Sequence, residues 1–143
     1  MIKETLNEIS LNFNKLSDSE AEINDAIQVI ISSLKNGKKI MFCGNGGSAA
    51  DSQHLAAELI GRYRINRPPL SALALSTDTS TITAVANDFS FNELFSRQVK
   101  ALSKEGDVLY AISTSGKSQN ILMAIEEAKL NNVQVIGITG EEG

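Results

Sequence analysis

Tryptophan is absent from the 143 residues, and there are only two tyrosines and five phenylalanines. Platforms for stacking nucleic-acid bases are therefore scarce. Basic residues are in the minority: 13 Lys and Arg stand against 17 Asp and Glu, a formal net charge of −4. A nucleic-acid surface needs a basic footprint, so nucleic acid is not expected as a partner. A single cysteine, Cys43, excludes an internal disulfide framework. No apolar run approaches the ~18–20 residues of a membrane span. The opening residues, MIKETLNEIS, lack the apolar core of a signal peptide. A cytoplasmic protein with no membrane partner is the expectation. Histidine is as rare as cysteine: His54 is the only one, so any chemistry that needs two imidazoles must find the second elsewhere.

What is present is enough to fold. Hydrophobic residues make up 42% of the chain, which supports one domain with a real core. Ile2, Leu6, Ile9, Phe13 and Leu16 recur at helical spacing. Ser17 and Glu20 have capping-box spacing and predict the start of a second helix. Its apolar stripe is Ile23, Ile27, Ile30, Ile31 and Leu34, and Gly37 supplies its stop. From there the pattern alternates. Strands are predicted at 38–43, 71–76, 107–112 and 133–139. Helices are predicted at 48–61, 79–86, 92–104 and 117–131. Continuous apolar strands separated by helices imply βαβ crossovers. The fold class expected is α/β: a doubly wound parallel sheet flanked by helices, preceded by an N-terminal helical pair.

In such sheets ligands bind beyond the carboxyl ends of the strands, so the turns after the strands carry the functional reading. The first is Gly44-Asn45-Gly46-Gly47-Ser48. Glycines admit close backbone approach, and a helix start leaves N–H donors free. A tight turn with no ligand is the plain alternative. Gly44, Gly46 and Ala49 fit the dinucleotide pattern, but Asp78 lies well past the ~20-residue offset that the pattern's acidic partner requires. On the helix that follows, His54 and Glu58 are four apart and share a face. They read as an exposed polar pair, as two ligands of one divalent metal, or with Glu58 as a general base beside a sugar carbon. The third-strand turn is Ser113-Thr114-Ser115-Gly116-Lys117-Ser118, with four hydroxyls at a helix mouth. That suits a phosphate, whereas a cap would need only Ser115. It is not a nucleotide triphosphate loop, because position 111 is alanine where the earlier glycine belongs. Between these, Asp78 is expected to cap the next helix, and Asn87-Asp88 to end it.

The run from Gly44 to Leu59, GNGGSAADSQHLAAEL, resembles the signature of the phosphoheptose isomerases, members of the sugar-isomerase (SIS) superfamily. ALSTDTS at 74–80, ANDF at 86–89 and AISTSG at 111–116 are similar to that family's later motifs, in order. The resemblance spans nearly the whole chain and implies the doubly wound fold. The activity implied is conversion of sedoheptulose 7-phosphate to D-glycero-D-manno-heptose 7-phosphate through an enediol(ate). This is the first step toward nucleotide-activated heptose for lipopolysaccharide or other surface polysaccharide.

The resemblance also implies roles for residues. Glu58 is the expected catalytic residue. His54 and Glu58 would hold zinc. Asn45, Gly46, Gly47, Glu58, Asn87, Asp88, Ser113, Thr114, Ser115 and Ser118 would contact the sugar phosphate. A homotetramer with sites at subunit interfaces is implied. Residues 1–36 would then be a helical segment for oligomerisation, and 37–143 the SIS sugar-phosphate-binding domain. Family members continue with a tail carrying a glutamine and a histidine that complete the zinc site. The domain is therefore expected to be truncated at its C-terminal end, with the remaining zinc ligands absent from this chain and two protein ligands too few for tight zinc binding. One alternative is a related non-catalytic SIS protein that binds the replication initiator DnaA, which lacks the acidic residue at the Glu58 position. Another is a SIS domain that senses a sugar phosphate without turnover.

Overall fold

The computed structural model describes residues 1–140; the last three residues of the expected 37–143 domain lie outside them. Helices α1 (Ile2–Lys15) and α2 (Glu20–Lys35) come first. Then β1 (Ile40–Gly44), α3 (Gly47–Ile60), β2 (Ala72–Ala74), α4 (Thr79–Asp88), α5 (Leu94–Leu102), β3 (Val108–Ser113), α6 (Gln119–Leu130) and β4 (Gln134–Thr139) follow. The strands form one parallel sheet in the order β2-β1-β3-β4.

Side-chain alternation along β1 divides the core in two. Met41 and Cys43 face Leu94, Phe95 and Val99 of α5 and Ile121, Ala124 and Ala128 of α6. Ile40 and Phe42 face the other way, toward Ala56 of α3 and Ala26, Val29, Ile30 and Leu34 of α2. All five residues of β1 are buried, as expected for a central parallel strand covered on both faces. Thus α2 belongs to the helical layer over the sheet, whereas no residue of α1 is buried.

Two helix ends show how local sequence sets the path. Gly37 has φ +70°. Its N–H donates to Leu34 and that of Lys38 to Ser33, the paired bonds of a Schellman stop. Asn132, at φ +55°, closes α6 in the same way: its N–H bonds Lys129 and that of Val133 bonds Ala128. Asparagine is among the few non-glycine residues that take this conformation readily. Asp78 caps α4, accepting from the Thr81 N–H at 3.1 Å. That bond and a second from the Thr81 hydroxyl hold its carboxyl below the usual range.

The capping box expected at Ser17 is a correction. A 3-10 turn at Leu16–Ser19 intervenes, and the helix starts at Glu20. Ser17 turns back, its hydroxyl donating to the Asn14 carbonyl at 2.6 Å. Glu20 is therefore the first residue of the helix and not the third, the register the motif needs.

Candidate sugar-phosphate site

The sheet order sets the position of the site. Chain progression runs outward from β1 to β2 on one side and from β3 to β4 on the other. The crevice between β1 and β3 is the switch point, where open α/β sheets bind ligands. The turns that leave these two strands are the glycine turn and the serine turn.

The glycine turn needs its glycines. A Cβ on Gly44 would lie 2.5 Å from the Ser48 carbonyl oxygen, so α3 could not start so close to the strand. Gly46 has φ +54° and ψ −119°, a conformation closed to other residues. Helical bonding begins with Ser48 donating to Asn45 and Ala49 to Gly46. The N–H groups of Gly46 and Gly47 precede those bonds and are left to other acceptors.

In the serine turn the hydroxyls are not consumed by capping. Ser118 is the residue before α6 but makes no side-chain cap. Its Oγ instead accepts from Ser113 Oγ at 3.2 Å. Ser115 accepts from the Lys117 N–H at 3.2 Å and so does not cap the helix. Thr114 and Ser115 are exposed, as is Lys117. The turn thus presents neutral donors at the positive end of a twelve-residue helix, beside a solvated ammonium group. This arrangement favours a small anion.

The two turns are joined. Asn45 Nδ2 donates to Asn120 Oδ1 at 2.9 Å, and Asn120 Nδ2 donates back to Asn45 Oδ1 at 2.8 Å. Asn120 has no counterpart in the motif reading. Its signal was a polar residue heading the buried stripe Asn120, Ala124, Ala128. Gly140 is a second unanticipated brace: its N–H donates to the Thr114 carbonyl at 2.9 Å. A Cβ there would sit 2.7 Å from that oxygen.

So the fold brings Asn45, Gly46, Gly47, Ser113, Thr114, Ser115 and Ser118 to one end of the sheet. His54 and Glu58 are elsewhere in the chain. Because β1 and β2 are parallel, α3 must run back toward the start of the strands. Glu58 is then roughly 16 Å along the axis from Gly47, at ~1.5 Å per residue. His54 Nε2 lies 3.8 Å from Glu58 Oε1, with side-chain exposures of 74% and 31%. Glu58 Oε2 is buried without a hydrogen-bond partner. Nearby, Arg67 donates to the Glu58 and Leu59 carbonyls at 2.7 and 2.8 Å and finishes the helix. Asn87 and Asp88 are exposed at the end of α4 and bond each other, Nδ2 to Oδ1 at 2.8 Å. Arg62 donates to Asn66 at 2.8 Å and Arg64 lies over Tyr63. Cys43 is core: burial pushes its thiol up to about 12, far from a reactive thiolate.

Among the described residues no three His, Cys, Asp or Glu side chains gather to hold a metal. The donor pair that exists, an exposed imidazole beside a carboxylate with an unpartnered buried oxygen, fits half of a divalent-metal site.

A family model described as the SIS domain matches residues 6–140, and the chain belongs to that family. The likeness is closer than the fold. The phosphoheptose isomerase of Rhodospirillum rubrum is 57% identical over 131 residues, covering 92% of this chain and 70% of that protein. That of Campylobacter concisus is 50% identical over 143 residues, covering 100% and 76%. The solved structure of phosphoheptose isomerase GmhA from Neisseria gonorrhoeae superposes with a TM-score of 0.77 at 40% identity, over 97% of this chain and 77% of the other. That of the phosphoheptose isomerase from Francisella tularensis gives 0.81 at 40% identity, over 97% and 78%. Within the SIS domain family the chain is grouped with the phosphoheptose isomerases.

Proposed function

We propose that the chain is an aldose–ketose isomerase that converts sedoheptulose 7-phosphate to D-glycero-D-manno-heptose 7-phosphate. The observation that carries this is the meeting of the glycine and serine turns at the switch point of a fold shared with phosphoheptose isomerases. The phosphate is held by Ser113, Thr114, Ser115 and Ser118, with the Gly46 and Gly47 N–H groups and the Asn45 amide along the sugar. Asn87 and Asp88 contact hydroxyls. Binding energy from this remote, unreacting end fixes the sugar for proton transfer.

Glu58 is the base. It takes the proton from C1 of the ketose and returns it to C2, through an enediol(ate), while O1 and O2 exchange a proton. A carboxylate acting as a general base typically contributes 10²–10⁴-fold. His54 and Glu58 would together hold zinc as two of its ligands. Zinc supplies, when bound, a Lewis acid for the carbonyl and enediolate oxygens.

Glu58 lies roughly 16 Å along α3 from Gly47, away from the strand ends that carry the serine turn, which favours a site assembled from two copies. The apolar, unburied stripe of α1 (Leu6 60% exposed, Phe13 69%) and the outward Ile23, Ile27 and Ile31 of α2 suit the homotetramer in which residues 1–36 serve assembly. A cytoplasmic enzyme at the start of activated-heptose synthesis for lipopolysaccharide completes the reading. None of the described helices is long and apolar enough to cross a membrane.

The test is to supply sedoheptulose 7-phosphate and follow the aldose by NMR, with and without a chelator. Appearance of the manno-heptose phosphate, abolished by chelation and restored by zinc, is expected. Binding of the sugar phosphate without any conversion would turn the assignment toward a sensor.

A further inference from the structure

We infer that Asn120 is a positioning residue for the sugar phosphate: it fixes the orientation of Asn45 and the spacing of the two turns at the switch point. The inference rests on reading that place as the ligand site. Asn120 is 3% exposed, and Ala124 and Ala128, which follow it on the same stripe, are 0% exposed. An amide in such a place is costly unless paired. It is paired, by a closed ring of two hydrogen bonds to Asn45, 75 residues away in sequence.

An amide group carries two N–H donors and two acceptor lone pairs. Asn120 engages one of each on Asn45. The second N–H and the second lone pair of Asn45 are left, and Asn45 is only half-buried. Rotating the Asn45 amide would break both bonds at once, so its remaining donor is held in one direction. Without Asn120 the amide turns freely, and binding must order it. The cost falls on affinity, because proton transfer takes place at the other end of the sugar.

Calorimetric titration with sedoheptulose 7-phosphate of the wild type, Asn120→Ala, Asn45→Ala and the double variant tests this. Asn120→Ala is expected to weaken binding about tenfold, the scale of one lost buried partner. Asn45→Ala weakens it at least as much. The double variant binds no worse than Asn45→Ala alone, because a residue acting through Asn45 then has nothing to act on. In steady state KM rises while kcat stays within about twofold. Asn120→Asp gives a readout tied to the hydrogen-bond ring. Its neutral carboxyl offers one O–H and one C=O and rebuilds the ring. Its deficit relative to wild type should therefore close as pH falls from about 7 to about 5. If Asn120→Ala does not fold, the Asn120→Asp series carries the test. Losses that multiply in the double variant, or an Asn120→Asp deficit indifferent to pH, overturn the inference alone. A wild type with no affinity for sedoheptulose 7-phosphate overturns the functional reading and this inference with it.

Discussion

Glu58 has a half-exposed carboxyl group with one oxygen near His54 and the other buried and unpartnered. Glu58→Gln keeps the shape and removes the base. Turnover should drop about 10²–10⁴-fold, while calorimetric affinity for sedoheptulose 7-phosphate stays within about threefold. Undiminished turnover would remove Glu58 from the chemistry. Asp107 is the contrasting carboxylate, 1% exposed at the other end of the strands. Burial alone would raise its pKa. Hydrogen bonds from the Lys39 ammonium and from the Lys39 and Lys104 N–H groups outweigh that and hold it below the usual range. A group depressed in the folded state stabilises fully above its unfolded value, near 3.9. That contribution is lost as pH falls through the folded value. Urea midpoints measured from neutral pH downward should therefore fall steeply only below about pH 4. Asp107→Ala should flatten that limb and cost about 3 kcal/mol at neutral pH by stranding Lys39. An unchanged acid limb in the variant would show that Asp107 is not its source.

The elements divide into those whose ends are closed by their own side chains and those whose ends are left open. The start of α4 is closed by Asp78, so Asp78→Ala should lower the melting temperature. The start of α6 is not closed: Ser118 makes no cap. Ser118→Ala should therefore cost less than Asp78→Ala in a thermal melt, yet weaken sedoheptulose 7-phosphate binding severalfold. The reverse ranking of stabilities would mean that Ser118 serves the helix and not the ligand. Asp78 was readable from sequence because a cap is a local device. The start of α2 was not: the competing 3-10 turn shifted the register by a few residues, and propensity alone could not arbitrate.

At the scale of the whole molecule, the apolar stripe of α1 makes sense only against another surface, since exposed contiguous apolar area marks an interface. Charging it with Leu6→Glu and Phe13→Glu should lower the mass measured by light scattering toward that of one chain. Turnover should fall with it if the site spans two copies. A wild type that already runs as a monomer with full activity would refute the shared site. The course of α3 carries Glu58 away from the strand ends that bear the serine turn, a placement that motif spacing does not encode. Only the antiparallel course of α3 beneath its sheet separates them.

Sequence by itself determined the alternation of strands and helices, the glycine-led and serine-rich turns, the Gly37 stop and the family. All of these are written in nearest neighbours and in the periods of 2 and 3.6 that burial imposes. The tertiary structure alone decided which turns share a crevice, through the strand order β2-β1-β3-β4, and it alone brought Asn120 to Asn45 and Gly140 to Thr114. Those pairings join residues far apart along the chain, and local pattern carries no information about which distant partner a buried amide or a backbone N–H will meet.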